Sequence, residues 1–217
     1  MPELERESGR LTFKLVYYGP AQGGKTTNLM QLHDRVGAEM KGELMTLETQ
    51  NDRTLFFDLL PLGFRAPSGL TIRFRLFTVP GQVAHDGTRK AVLSRADGVV
   101  FVADSQRTES INNGESFQNL VENLGRVGLD IDRLPLVVQF NKRDLRTILS
   151  EEEVRERYAG APWPLVFASA IRGEGVLQTF AALLRGVWRG YARELELDTT
   201  HGLSEAAFVA AATGDMQ

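Results

Sequence analysis

Leu11, Phe13, Leu15 and Tyr17 alternate with Thr12 and Lys14, the two-residue period of a strand with one side buried. This predicts a strand over about 11–18. Leu29, Leu32 and Val36 then recur at helical spacing, which predicts a helix over about 25–36. Residues 43–48 read as a short extra strand. A hairpin follows, from Thr54 to about Phe64 and from Leu70 to Val79, around a turn at Pro67-Ser68-Gly69. In its second arm Leu70, Ile72, Phe74 and Leu76 alternate with Thr71, Arg73 and Arg75. One face is therefore expected in the core and the other solvated or docked. Val99–Val102 and Leu136–Val138 are unbroken apolar runs, as in central parallel strands, and Leu165–Phe167 reads as a further short strand. A last long helix over about 174–195 places Leu177, Phe180, Leu184, Val187, Tyr191 and Leu195 on one face, a stripe that suits core packing. Beyond Asp198, Leu203, Ala207, Phe208 and Ala211 fit either one short amphipathic helix or a frayed tail.

Strand-like and helix-like segments thus alternate. The expected class is α/β, in three layers, with a mostly parallel sheet, one antiparallel strand and helices on both faces. The expected division is a polar segment over 1–10, one domain over 11–196 and an extension over 197–217. The length of 217 residues suits a single core. A net charge of −3 gives no reason to expect nucleic acid as a partner. The chain has no cysteine, so disulfides, thiolate metal sites and lipid anchors on cysteine are excluded. Pro2 stands where N-myristoylation needs glycine. No apolar run has membrane-spanning length, and Met1–Arg10 is too charged for a signal peptide. The expected location is the cytoplasm, with any visit to a membrane or cell pole made through a partner.

Two motifs carry chemistry. Gly19-Pro20-Ala21-Gln22-Gly23-Gly24-Lys25-Thr26 fits G-x-x-x-x-G-K-[ST] and lies between the first strand and the first helix. Backbone N–H groups of such a loop surround phosphates, and the helix N-terminus adds its positive dipole end. Gly19, Ala21, Gln22, Gly23, Gly24, Lys25, Thr26 and Thr27 are the expected phosphate-binding residues. Lys25 would reach the β- and γ-phosphates, and the Thr26 hydroxyl would hold Mg²⁺. Asn141-Lys142-Arg143-Asp144 fits N-K-x-D directly after a strand, at the strand's carboxyl end, where doubly wound folds bind ligands. Asp144 can accept from both the ring N–H and the exocyclic amine of guanine. Adenine lacks that donor pair and would leave a buried carboxylate unpaired. Asn141 would tie the base pocket to the phosphate loop, and the Lys142 stem would cover the base. Ser169 and Ala170, after the next strand, complete the expected guanine site. The Ala170 N–H would meet the guanine carbonyl oxygen.

The order of phosphate loop, Pro80-Gly81-Gln82, N-K-x-D and Ser-Ala resembles Ras-superfamily small GTPases. Arg53-Thr54-Leu55-Phe56-Phe57-Asp58 and Thr78-Val79-Pro80-Gly81-Gln82 narrow the resemblance to bacterial polarity GTPases of the gliding-motility (MglA) type. The similarity spans about residue 12 to about 190. It implies a P-loop small-GTPase fold, GTP and GDP bound with Mg²⁺, slow hydrolysis, and effectors of polarity or motility. It also implies a Roadblock-type (MglB-like) activating partner, and a chain that is monomeric alone. By the same resemblance, Thr54 ligates Mg²⁺ and senses the γ-phosphate, Gly81 offers its N–H to that phosphate, and Gln82 orients the attacking water. Arg53 would be an arginine finger in cis, swung into place when a partner resets the first switch. Asp52, Thr78 and Pro80 belong to the same switch set. Asp52 and Asp58 are expected as solvated or capping carboxylates, or as contacts to switch partners.

Three positions depart from the wider pattern. Thr78 stands where most small GTPases carry the Asp of D-x-x-G, which would weaken the hold on Mg²⁺. Ala21 replaces the subgroup's glycine beside the γ-phosphate, where an added methyl slows hydrolysis by crowding. His85-Asp86-Gly87 differs from the usual aromatic-containing stretch. A GTP-locked scaffold with little hydrolysis stays open as an alternative. So does an Arf-like trafficking switch, which Pro2 and the absence of cysteine oppose.

Overall fold

The computed structural model describes residues 2–38, 40–47, 57–80 and 86–214. Eight strands form one sheet: β1 (Glu3–Glu5), β2 (Arg10–Tyr18), β3 (Met45–Leu47), β4 (Phe57–Arg65), β5 (Thr71–Thr78), β6 (Gly98–Asp104), β7 (Leu136–Asn141) and β8 (Leu165–Phe167). Their order is β3-β4-β5-β2-β6-β7-β8, with β1 paired to the start of β2. Strands β5, β2, β6, β7 and β8 are parallel; β4 runs antiparallel to β5, β3 to β4, and β1 to β2. Among the described residues six α-helices accompany them: α1 (Lys25–Arg35), α2 (Asp86–Leu93), α3 (Ser110–Arg126), α4 (Glu151–Arg157), α5 (Val176–Tyr191) and α6 (Glu205–Thr213). The fold is a P-loop α/β fold of the small-GTPase kind.

The alternation along β2 sorts its side chains between two cores. Phe13, Leu15 and Tyr17 face α1, α5 and α6 together with Leu29, Phe180 and Phe208. Val16 and Tyr18 face the other layer, with Leu93 of α2, Leu124 of α3 and Val154 of α4. Every residue of β6 and β7 is buried, because helices cover both faces of these central strands. On β5 the predicted alternation holds: Ile72, Phe74 and Leu76 are buried, while Arg73 and Arg75 face solvent.

A polar network crosses the first core behind the phosphate loop. Asn28 of α1 and Gln139 of β7 exchange two amide hydrogen bonds of 2.9 Å, and Gln139 also donates to Thr179 of α5 at 2.8 Å. Each amide is matched, which a buried polar group needs.

The segment after Asp198 is a helix rather than a frayed tail. Ser204 caps α6, and Phe208 is fully buried against Phe13, Phe64 and Phe74, with ring centroids 5.7–5.9 Å apart. The loop before it reaches the β4–β5 turn, where Ser68 Oγ and His201 Nδ1 share a 2.8 Å hydrogen bond. The polar start also holds more than a loop, since Glu3–Glu5 pairs with Arg10–Thr12.

Candidate functional site

The phosphate loop leaves the carboxyl end of β2, which pairs with β5 on one side and β6 on the other. Successive strands are added there in opposite directions, and such a switch point opens a crevice. Backbone geometry explains two of the glycines. A Cβ on Gly19 (φ 143°) would lie 2.2 Å from the Val102 carbonyl oxygen, and one on Gly24 (φ 97°) would lie 2.2 Å from Asn141 Nδ2. Both positions need a bare backbone for the loop to lie down on β6 and β7. Gln22 is left-handed too (φ 58°). Ala21 and Gln22 are exposed at the loop's crest, Gly23 is buried beneath them, and Thr27 is half-buried on α1.

Lys25 opens α1 and is 7% exposed. Its Nζ donates to the carbonyls of Gly19 (3.1 Å) and Pro20 (2.6 Å). Burial, and next the charge of Arg89, push its pKa down to about 8, while Asp58 partly offsets them. The N–H groups of Lys25, Thr26 and Thr27 lie in the first turn of α1, where no intrahelical partner exists.

Asp58 is the main correction to the sequence reading. It is 5% exposed rather than solvated. Its Oδ2 accepts from Thr26 Oγ1 (2.5 Å) and from Thr78 Oγ1 (3.0 Å), and its N–H donates to Thr78 Oγ1 at 2.8 Å. Thr78 does not leave the site without a carboxylate. The neighbouring antiparallel strand supplies one, against the hydroxyl that the phosphate loop contributes.

At the other end of the crevice Asn141 does what its motif predicts toward the loop. Its Nδ2 donates to the Gly23 carbonyl at 2.9 Å. Its Oδ1 accepts the Ala170 N–H at 2.8 Å, so that N–H is spent on Asn141 rather than left open for a base, as the sequence reading had it. Asp144 is half-buried and takes the Ser169 hydroxyl on Oδ1 at 2.6 Å. Lys142, left-handed at φ 66°, sends Nζ to Asp104 Oδ2 at 2.6 Å. Asp104 ends β6 opposite Asn141 in the register, and sequence reasoning gave it no role. Only the pairing of β6 with β7 brings it to Lys142.

Pro80 is half-buried at the end of β5. Asp52, Arg53, Thr54, Gly81, Gln82 and His85 lie outside the described residues. Among the described residues, no three His, Cys, Asp or Glu cluster as a metal site. A Mg²⁺ ion here would rest on hydroxyls, one carboxylate and the oxygens of its ligand, which is a common way to hold it. Thr26 suits this: donating its one proton to Asp58 leaves its lone pairs for a cation.

A strand–loop–helix phosphate-loop geometry at the switch point, with Asn141, Lys142 and Asp144 following β7 and Ser169 and Ala170 following β8, fits the small-GTPase class of P-loop proteins. The sequence model of the ADP-ribosylation factor family matches residues 7–187. The mutual gliding-motility protein MglA of Myxococcus xanthus is 45% identical over 185 residues, 85% of this chain and 95% of that protein. Human ADP-ribosylation factor-like protein 4A is 26% identical over 175 residues, 76% of this chain and 78% of its own. The chain belongs to the ADP-ribosylation factor family of small GTPases, as a member of MglA type, and is a GTPase. No helix among the described residues is long and apolar enough to cross a membrane.

Proposed function

We propose that this GTPase is a slow, partner-stimulated switch. It binds GTP or GDP with Mg²⁺ and passes the γ-phosphate state to effectors of cell polarity or gliding motility. A Roadblock-type (MglB-like) protein accelerates its hydrolysis, and such partners bring it from the cytoplasm to a cell pole. The observation that carries this reading is the cluster of Thr26, Asp58 and Thr78 beside Lys25.

Bound Mg²⁺ would neutralise charge on the β- and γ-phosphates. Around it the chain's own groups divide the work. Thr26 offers a lone pair, and Asp58 keeps that hydroxyl turned by accepting its proton. Asp58 would also accept from a water on the cation, replacing the acid that Thr78 lacks. Lys25 exchanges two neutral carbonyls for a phosphate, a stronger acceptor. Asp144, held by Ser169, reads the two donors of guanine, while Asn141 keeps the loop and the Ser169-Ala170 turn at a fixed separation.

Thr54 senses the γ-phosphate, Gly81 binds it, Gln82 orients water, and Arg53 supplies the transition-state charge. Asp52, Thr78 and Pro80 move with these switches. Ala21, at the exposed crest, keeps the intrinsic rate low. Single-turnover hydrolysis of bound GTP, with and without a Roadblock-type partner, tests this. Slow hydrolysis that the partner accelerates supports the switch. Tight GTP binding with no hydrolysis in either condition replaces it with a locked scaffold.

A further inference from the structure

Arg89 is fully buried on α2, the helix that follows Gly81 and Gln82. A buried guanidinium needs a reason, since an apolar side chain packs there at less desolvation cost. Its contacts supply one. Nε donates to the Pro80 carbonyl at 2.9 Å, and Nη1 donates to Asn119 Oδ1 at 2.6 Å and approaches Tyr18 OH at 3.4 Å. The guanidinium carbon also lies 5.3 Å from the centre of the Tyr18 ring. The far end is braced in turn: Tyr18 OH donates to Asn119 Oδ1 at 2.5 Å, and Asn123 Nδ2 reaches both.

These partners come from three separate parts of the site. Pro80 is the residue before Gly81. Tyr18 is the residue before Gly19, where the phosphate loop begins. Asn119 and Asn123 belong to α3, which packs Leu120 and Leu124 into the second core. One planar group with fixed donor directions therefore spans Pro80 just ahead of Gly81 and Gln82, the root of the phosphate loop and α3. A lysine carries its three donors on one flexible ammonium and lacks the rigid planar fork that fixes these two directions.

We infer that Arg89 is a positioning residue for hydrolysis: by holding the Pro80 carbonyl against Tyr18 and Asn119, it sets where Gly81 and Gln82 stand relative to the phosphate loop. The inference rests on the roles proposed above for Gly81 and Gln82. Misplacing a catalytic group by about 1 Å costs on the order of 100-fold in rate, so a brace of this kind acts on the chemical step more than on nucleotide affinity.

The test is single-turnover hydrolysis of preloaded GTP in Arg89→Lys, Asn119→Ala, the double variant and Gln82→Leu, with GDP affinity and melting temperature measured alongside. The expected result is a rate loss of about 10- to 100-fold in Arg89→Lys, a smaller loss in Asn119→Ala, and no further loss in the double variant. GDP affinity stays at the parent value in all. If Gln82→Leu is slow while Arg89→Lys and Asn119→Ala hydrolyse at the parent rate, the brace is wrong and the switch reading stands. If Arg89→Lys loses GDP affinity and melting temperature in step with its rate, Arg89 only supports the fold. Should Arg89→Lys not fold, Asn119→Ala decides alone: a parent rate overturns the inference. An unchanged rate in Gln82→Leu removes the switch reading, and this inference with it.

Discussion

The two ends of the crevice are built on different plans. At the base end Asn141, Lys142 and Asp144 follow one another along the chain, and each is tied to a fixed element: Gly23 and Ala170, Asp104, and Ser169. At the phosphate end the groups that meet come from separate strands and helices: Thr26 from α1, Asp58 from β4 and Thr78 from β5, with Arg89 of α2 near enough to lower the pKa of Lys25. A contiguous motif tied to neighbouring elements suits a job that does not change between GTP and GDP. Under the proposed switch reading, a cluster assembled across β4 and β5 would join the two segments assigned to sensing the γ-phosphate, since β4 follows residues 48–56 and β5 precedes 81–85.

The comparison breaks most sharply at Asp144. Asp144→Asn replaces an acceptor with a donor against two guanine N–H groups. GTP affinity should fall roughly 100- to 10,000-fold, at about 1.5–3 kcal/mol for each charged hydrogen bond. Xanthine nucleotide should gain affinity, because its base presents an acceptor there. Equilibrium titration with both nucleotides checks this, and unaltered preference for guanine would remove Asp144 from the base site.

Asp58→Asn tests the other end. Removing the charge should weaken Mg²⁺ retention about 10- to 100-fold, the usual cost of losing a partner behind a metal ligand, and leave base preference alone. Fluorescent GDP release across a Mg²⁺ titration measures it. Adding Thr78→Asp to that variant should recover part of the loss by returning the acid to β5, and no recovery would show that strand position matters as much as charge.

A smaller effect is expected at the loop crest. Ala21→Gly should raise intrinsic hydrolysis by several-fold, on the order of 1 kcal/mol in the barrier, without changing GDP affinity. The smallest effect concerns protons. Lys25 has its pKa lowered to about 8 in the free protein, so above that pH it is partly neutral. Phosphate favours the charged form. GDP binding should therefore take up a fraction of a proton above about pH 8, and affinity should fall as pH rises further. Calorimetry in two buffers of different ionisation enthalpy reads the uptake directly, and an exchange of no protons would place Lys25 charged throughout.

Much of this was legible from the chain. Alternation gave β2 and β5, unbroken apolar runs gave β6 and β7, and glycine spacing gave the phosphate loop, because each signal lies within one short window. Asp58 was misread because its environment is set by the β4–β5 register, which one sequence does not display. Asp104 escaped for the same reason on the β6–β7 pair. Arg89 sits in a stretch with Asp86, Thr88 and Lys90, and a local reading cannot distinguish it from a solvated arginine. β1 is exposed along its whole length, so it carries no apolar pattern. In α6 the signal was one large residue among alanines, Phe208, whose weight comes from three distant phenylalanines.

That aromatic cluster ties α6 to the fate of the β4–β5 hairpin. Phe208 touches Phe64 on one arm and Phe74 on the other, while His201 meets Ser68 at the tip. Helix α6 cannot fray as an independent unit, because peeling it away uncovers the centre of the first core. A protease that cuts beside the buried Phe208 and Val209 would thus act only on molecules in which α6 has lifted from the hairpin. Resistance to such a cut becomes a gauge of how firmly the strands carrying Asp58 and Thr78 are seated.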